Sequence, residues 1–246
     1  MNSPAANGHK VASRAEWLEA RKELLAKEKE LTRQRDRLKE ELRALPWVRV
    51  EKDYVFDGPS GKVSLSELFG ENSQLIVYHF MFDPSWDEGC TGCSFISDHV
   101  DDARLHFGNR DVSYMAVSRA PLEKLEAFKE RMGWKFPWVS SGNTDFNIDF
   151  DATCTSEQIA EGKATYNYAP TDEPGEHHGA SVFLRDVDGT IYHTYSVYAR
   201  GLEEALGAFI WMDITPKGRN EDGTMNWVRH HDRYDEGGKK SCCGCQ

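Results

Sequence analysis

The 246-residue sequence predicts an α/β fold in which a central mixed sheet is flanked by helices. Three observations point there. Leu75 to Phe82 (LIVYHFMF) is a nearly continuous apolar run, as expected of a buried parallel strand. Helical and strand-like segments alternate after it, the pattern of strands joined by crossovers. Near the end, Asp188-Gly189 separates two strand-like runs and marks a hairpin.

The elements follow in order. Residues 13–45 read as one long helix, with Ser13 and Glu16 forming a capping box and Pro46 ending it. Leu24, Leu31, Leu38 and Leu45 recur every seven residues, but Arg21, Glu28 and Arg35 occupy the companion seam positions. The single stripe is expected to lie on the domain; the competing expectation is a homodimer through this arm. Asp53 to Phe56 and Val63 to Phe69 read as short strands separated by glycine turns, the second running into a helical turn. Ser94 to Phe107 reads as a helix, Val112 to Val117 as a strand, Leu122 to Met132 as a helix started by Pro121 and stopped by Gly133. Phe136 to Ser140 reads as a strand, Ser181 to Arg185 and Thr190 to Tyr195 as the hairpin, and Leu202 to Met212 as the last helix. The domain plan is therefore an arm over 1–45, a body over 46–216 with an irregular insertion at 141–178, and an extension over 217–246 that is polar and expected to be loose, with Trp227 and Tyr234 able to dock it.

The formal net charge is -11, unevenly spread. Residues 1–45 carry 11 Lys/Arg against 8 Asp/Glu, and the remainder 19 against 33. An acidic body repels phosphate backbones, so nucleic acid is not an expected partner. No run of eighteen apolar residues occurs and the first ten residues carry no apolar h-region, so neither a membrane nor a secretory route is expected, and the cytoplasm is the expected compartment.

The six cysteines are Cys90, Cys93, Cys154, Cys242, Cys243 and Cys245. Close-spaced cysteines in a reducing compartment point to redox or metal chemistry. Cys90-Thr91-Gly92-Cys93 follows the buried strand and opens a helix. A thiol at a helix N-terminus faces unpaired N–H groups and the positive end of the macrodipole, which favour the reactive thiolate. Cys90 is then the attacking thiol and Cys93, one turn on, the resolving thiol. Thr91 and Gly92, both small, leave the sulfur accessible to a substrate. Asp83, Asp87 and Glu88 lie just upstream, and their charge is expected to oppose thiolate formation.

The strand–CxxC–helix order and the segment Leu75 to Cys93 (LIVYHFMFDPSWDEGCTGC) resemble the thioredoxin superfamily. More closely, the chain resembles the DUF899 family of bacterial thioredoxin-like proteins, through Asp145 to Phe150 (DFNIDF), Tyr166-Asn167-Tyr168, Ser181 to Asp186 (SVFLRD), His193 to Gly201 (HTYSVYARG) and Asp213 to Glu221 (DITPKGRNE). The resemblance covers roughly residues 10–235. It implies a thioredoxin-like fold and a dithiol–disulfide oxidoreductase; the residues add the long N-terminal helix and a Cys-rich tail, and the expected activity needs no cofactor, acts on a disulfide-containing protein or small-molecule disulfide and is recharged by an electron donor. Thioredoxins place a cis-proline before the hairpin strand, facing the cysteines; His178-Gly179-Ala180 stands there in this chain, so His178 and Gly179 are candidate substrate contacts. His79 aligns roughly with a buried acid of thioredoxins and is the candidate proton acceptor for Cys93.

Two alternatives stand beside this reading. Peroxiredoxins share the fold and carry a proline several residues before a reactive cysteine; Pro84 lies six residues before Cys90, which suggests a thiol peroxidase using Cys90. A zinc- or copper-binding, non-enzymatic protein would use the CxxC pairs, Cys242 and Cys245 forming the second, with His177 and His178 as further ligands. The tail Cys242, Cys243 and Cys245 is also a candidate electron relay to Cys90 and Cys93.

Overall fold

The computed structural model describes residues 8–234; Cys242, Cys243 and Cys245 lie outside the described residues. The chain divides into two compact units at Pro46. The first contains α1 (Arg14–Arg43), whose N-terminus is fixed by the expected capping box between Ser13 and Glu16. Every residue of α1 is at least partly exposed, Leu24, Leu31 and Leu38 of the leucine stripe included.

The second unit is built on an eight-stranded mixed sheet. Its strands are β1 (Val48–Arg49), β2 (Val55–Gly58), β3 (Gly61–Ser64), β4 (Gln74–His79), β5 (Val112–Ser118) and β6 (Trp138–Ser140), then, after the small paired segments β7 (Thr153–Cys154), β8 (Thr165–Tyr166), β9 (Ala169–Pro170) and β10 (Gly175–Glu176), the hairpin β11 (Gly179–Arg185) and β12 (Ile191–Tyr198). The order across the sheet is β1-β12-β11-β4-β5-β6-β2-β3. β4, β5 and β6 run parallel and β11 is antiparallel to β4, so the apolar run at 75–82 sits at the centre as its composition demands. The helices are α2 (Thr91–Val100), α3 (Ala103–Gly108), α4 (Leu122–Met132), α5 (Phe146–Asp149), α6 (Ser156–Ala160) and α7 (Gly207–Asp213).

The single helix expected over 94–107 is two: α2 and α3 meet at Asp101, whose carboxylate accepts from the Lys135 amide at 2.9 Å. α2 starts at Thr91, ahead of the 94–107 span, so the CxxC is its first turn, as its reading as a helix opening requires.

Strand alternation sorts the core into two faces. Tyr78, Phe80, Tyr114 and Ala116 meet Cys93 and Phe95 of α2, Leu125 and Phe128 of α4 and Phe209 of α7. Leu75, Val77, Val117 and Phe183 meet Leu68, Phe69, Phe146 and Phe150 on the other side. The insertion at 141–178 thus supplies the second face's cover: Phe146 is fully buried, with Tyr54 and Phe56 set edge-on to its ring at 5.0 Å. Arg185 ties the hairpin to the loop before β4, donating to the carbonyls of Ser66, Gly70 and Asn72. A CxxC helix following a central parallel strand, with an antiparallel hairpin at that strand's other edge, makes this unit thioredoxin-like. Among the described residues no helix is long and apolar enough to cross a membrane.

Candidate active site

Beyond His79 the chain stays extended through Phe82, with Phe80 donating to the Val117 carbonyl and Ala120 to the Phe82 carbonyl. Met81 in this stretch anchors both cysteines. Its carbonyl accepts from the Cys90 amide at 3.0 Å, and its amide donates to the Cys93 sulfur at 3.4 Å. Gly89 closes the loop: a Cβ there would lie 2.6 Å from the Phe80 ring and 2.9 Å from Phe128, so only glycine lets the loop descend this far.

Cys90 is the N-cap of α2 and is partly exposed; Cys93 is 2% exposed. The Cys90 side chain makes no formal capping hydrogen bond at rest. Its sulfur nevertheless lies against the Cys93 thiol and the amides of Cys93 and Gly92, and these draw its pKa from 9.0 down to about 6, with burial opposing. Cys93 moves the other way. Burial pushes it well above the ordinary thiol range, the Cys90 partner adds to this, and the Tyr78 hydroxyl and the Met81 amide oppose it. The pair is polarised: Cys90 ionises first, Cys93 stays protonated. Thr91 and Gly92 form the partly exposed turn between them, with the Met225 methyl 3.4 Å from where a Gly92 Cβ would stand.

The upstream acids do not set this balance, against expectation. Glu88 is held by Arg131 at 2.7 Å and by Arg233 at 2.9 Å, and these two hold its carboxyl below the usual range. Asp83 accepts from the Ser85 amide and hydroxyl and lies near Arg119 and Lys124. The charge of Glu88 and Asp83 is met by these partners, and the groups that set the Cys90 pKa are the Cys93 thiol and the Cys93 and Gly92 amides.

The segment after Lys217, expected to be loose, packs on the CxxC loop as far as Tyr234. Trp227 sets its ring edge-on to Phe95 at 5.7 Å, the buried His230 reaches the Gly89 carbonyl at 3.0 Å, and Asp232 pairs with Arg131 at 2.8 Å. Trp227 is one of the two residues the sequence offered for docking; the His230 and Asp232 contacts join residues far apart in the chain and no local pattern foretold them.

His79 is fully buried but stands on the face of the sheet away from Cys93. Its Nε2 pairs with the Ser181 hydroxyl at 2.8 Å, its ring stacks on Phe150, and its Nδ1 has no hydrogen-bond partner among the described residues. Burial, with His193 adding, pushes its pKa down to about 3, so it is a neutral imidazole. This geometry corrects the expected role as proton acceptor for Cys93: one step along a strand reverses the side chain's direction. The residue that does meet Cys93 is Tyr78, and period-2 counting along 75–82 would have found it.

At the start of β11, Gly179 pairs with His79 on one side and with Tyr198 on the other, whose ring lies too close for any Cβ. The His178 carbonyl accepts from Tyr166 at 2.8 Å, and Tyr166 lies within electrostatic reach of Cys93. The His178 ring faces the Ala199 carbonyl at 3.2 Å, and burial lowers its pKa. His177 stacks on Tyr166 at 4.4 Å. Behind them Glu176, with a side chain 1% exposed, pairs with Arg119 at 2.9 Å and accepts from Thr153; burial raises its pKa. Among the described residues no group of three or more His, Cys, Asp or Glu is placed to hold a metal ion.

The family model described as "Bacterial protein of unknown function (DUF899)" matches residues 6–234. The chain belongs to the DUF899 family. No curated protein matches it. Solved structures similar to this DUF899 chain include peroxidoxin BcpB from Mycobacterium tuberculosis, at 15% identity and TM-score 0.44, covering 65% of this chain and 92% of that one. PrxQ from Xylella fastidiosa matches at 15% identity and TM-score 0.43, covering 64% and 88%. Peroxiredoxin Q from Xanthomonas campestris matches at 16% identity and TM-score 0.42, covering 63% and 87%. At such identity the likeness concerns the fold alone.

Proposed function

We propose that this DUF899 chain is a thiol–disulfide oxidoreductase in which Cys90 attacks and Cys93 resolves. The observation that supports it is the polarised pair: a partly exposed N-cap thiol drawn to a pKa of about 6 beside a buried thiol held protonated. At neutral pH Cys90 is a thiolate, the form that attacks a disulfide sulfur. Attack forms a mixed disulfide and releases one substrate thiol. Cys93, one helical turn away, then attacks the Cys90 sulfur; the Cys90–Cys93 disulfide forms and the second substrate thiol leaves. The substrate disulfide gains two electrons and the protein pair loses them. A dithiol or protein reductant restores the pair.

The reading is tested by reduction of insulin or a small disulfide with a dithiol as electron donor. Wild-type turnover that vanishes in Cys90→Ser supports it, and Cys93→Ser should trap the mixed disulfide. Unchanged turnover in both variants refutes it. A thiolate at Cys90 also suits attack on a peroxide. Stoichiometric peroxide followed by mass spectrometry separates the two: sulfenic acid forming at Cys90 much faster than on free cysteine marks a peroxidase.

A further inference from the structure

The resolving step raises a difficulty that the two cysteines do not solve alone. Cys93 must become an anion in a site whose burial opposes charge. Such a charge needs hydrogen-bond donors. The Met81 amide is one, at 3.4 Å.

Tyr78 brings a second polar hydrogen near that sulfur. It lies on β4 directly under α2, 2% exposed, in the same core cluster as Cys93. Its neighbours in register are Ala116 on β5 and Ala180 on β11, so small side chains flank the ring on both sides. Phe80 meets it edge-on at 6.1 Å. Its hydroxyl makes no hydrogen bond of good geometry among the described residues, yet it interacts with the Cys93 sulfur and favours that sulfur's anion. A buried hydroxyl left unbonded is costly, and one that neighbours a sulfur that becomes charged during turnover gains an acceptor at that moment. Burial also keeps Tyr78 protonated far above neutral pH, so it remains a donor throughout.

We infer that Tyr78 is a positioning residue for the second half of the exchange: its O–H donates to the Cys93 sulfur as that sulfur becomes a thiolate and attacks the mixed disulfide on Cys90. The bond formed is Cys90 Sγ–Cys93 Sγ, and the bond broken is Cys90 Sγ–substrate sulfur. Cys93 gives up its thiol proton to solvent as it attacks, the electron pair leaves on the substrate thiolate, which takes up one proton in return, and Tyr78 keeps its own. The inference rests on the exchange reading.

Tyr78→Phe in the full chain tests it, with oxidised glutathione as probe and rapid acid quench read by mass spectrometry. Formation of glutathionylated Cys90 should match wild type within about twofold, because Tyr78 acts through Cys93. Its resolution should slow about tenfold at neutral pH, and the pH of half-maximal resolution should rise by about one unit. Resolution at the wild-type rate with an unchanged midpoint overturns the assignment and leaves the exchange reading standing. If wild type forms no glutathionylated Cys90 and no protein disulfide, the exchange reading falls and this assignment with it. Should Tyr78→Phe fail to fold, Cys90→Ser prepared with ring-fluorinated tyrosine, a stronger donor, replaces it. The pH dependence of Cys93 alkylation, located by mass spectrometry, should then have a lower midpoint than in unlabelled Cys90→Ser, and an identical midpoint overturns the inference.

Discussion

Tyr78 and His79 are consecutive residues on one strand, both buried, and they live in different chemical worlds. Tyr78 faces α2 and the cysteine pair; its hydroxyl waits on a sulfur. His79 faces the aromatic floor of Phe146 and Phe150 and starts a hydrogen-bonded chain from its ring through Ser181 and Ser196 to His193, with links of 2.8, 2.8 and 2.7 Å. That chain ends beside a cavity of about 490 Å³ lined by Tyr54, Phe150, Tyr168, His193, Ser196 and Tyr198. The difference teaches that in a central strand the residue type matters less than the parity of its position. A titratable histidine under a CxxC motif invites a catalytic role, but the pleat assigns that role to its neighbour.

The comparison makes predictions for each face. The largest effect belongs to the cysteine face: Cys90→Ser should lower disulfide reduction by about a thousandfold or more while leaving stability within about 0.5 kcal/mol. Thermal unfolding and turnover measured on one preparation check both halves. On the opposite face the balance inverts. His79→Ala should cost about 2–4 kcal/mol, because it opens a cavity against Phe146 and Phe150 and removes one of the two hydrogen-bond partners of the Ser181 hydroxyl. The rate of Cys90 alkylation should stay at the wild-type value in that variant. A large alkylation change without destabilisation would return His79 to the cysteine site.

The same histidine gives a pH signature. Its folded-state pKa of about 3 lies below the ordinary histidine value of 6.5, so between these values the unfolded chain binds a proton that the folded chain does not. Stability should therefore fall as pH drops through that window, by at most about 1.4 kcal/mol per pH unit from this one group. His178 and His193, also lowered by burial, act in the same direction. Denaturant melts at several pH values should show a shallower slope in His79→Gln than in wild type. An unchanged slope would mean that His79 is charged in the fold.

The smallest effect is expected at Glu88. Its partners Arg131 and Arg233 are partly exposed, so Glu88→Gln should cost under about 1 kcal/mol. Because those arginines already neutralise it, Cys90 alkylation should change by less than about twofold. A marked acceleration in Glu88→Gln would restore the acids as brakes on the thiolate.

Much of this molecule was legible beforehand for local reasons. The 75–82 run, the Asp188-Gly189 hairpin turn, the Ser13–Glu16 capping box and the CxxC at a helix start each carry their cause within a few residues. Cys90 as the N-cap follows from the same local logic. What was illegible depends on meetings across the chain. His230 on the Gly89 carbonyl spans 141 positions, and Arg233 on Glu88 spans 145. No periodicity encodes such pairs, and so the acids before Cys90 read as unopposed charge. The insertion read as irregular because its elements are two to five residues long, and its role as cover for the second face shows only when Phe146 and Phe150 are placed in the core. The parity of Tyr78 against His79 was available to counting, but an apolar run buried on both faces hides its period.

The central claim is that Cys90 is the reactive thiolate and Cys93 the protected partner. Alkylation of the fully reduced chain by iodoacetamide, followed against pH with the modified cysteine located by mass spectrometry, tests it most directly. Modification should fall first on Cys90 with a midpoint near pH 6, while Cys93 stays unmodified from about pH 5 to about pH 9. A Cys90 midpoint near that of a free thiol, about 8.5, or modification of Cys93 ahead of Cys90, would contradict it.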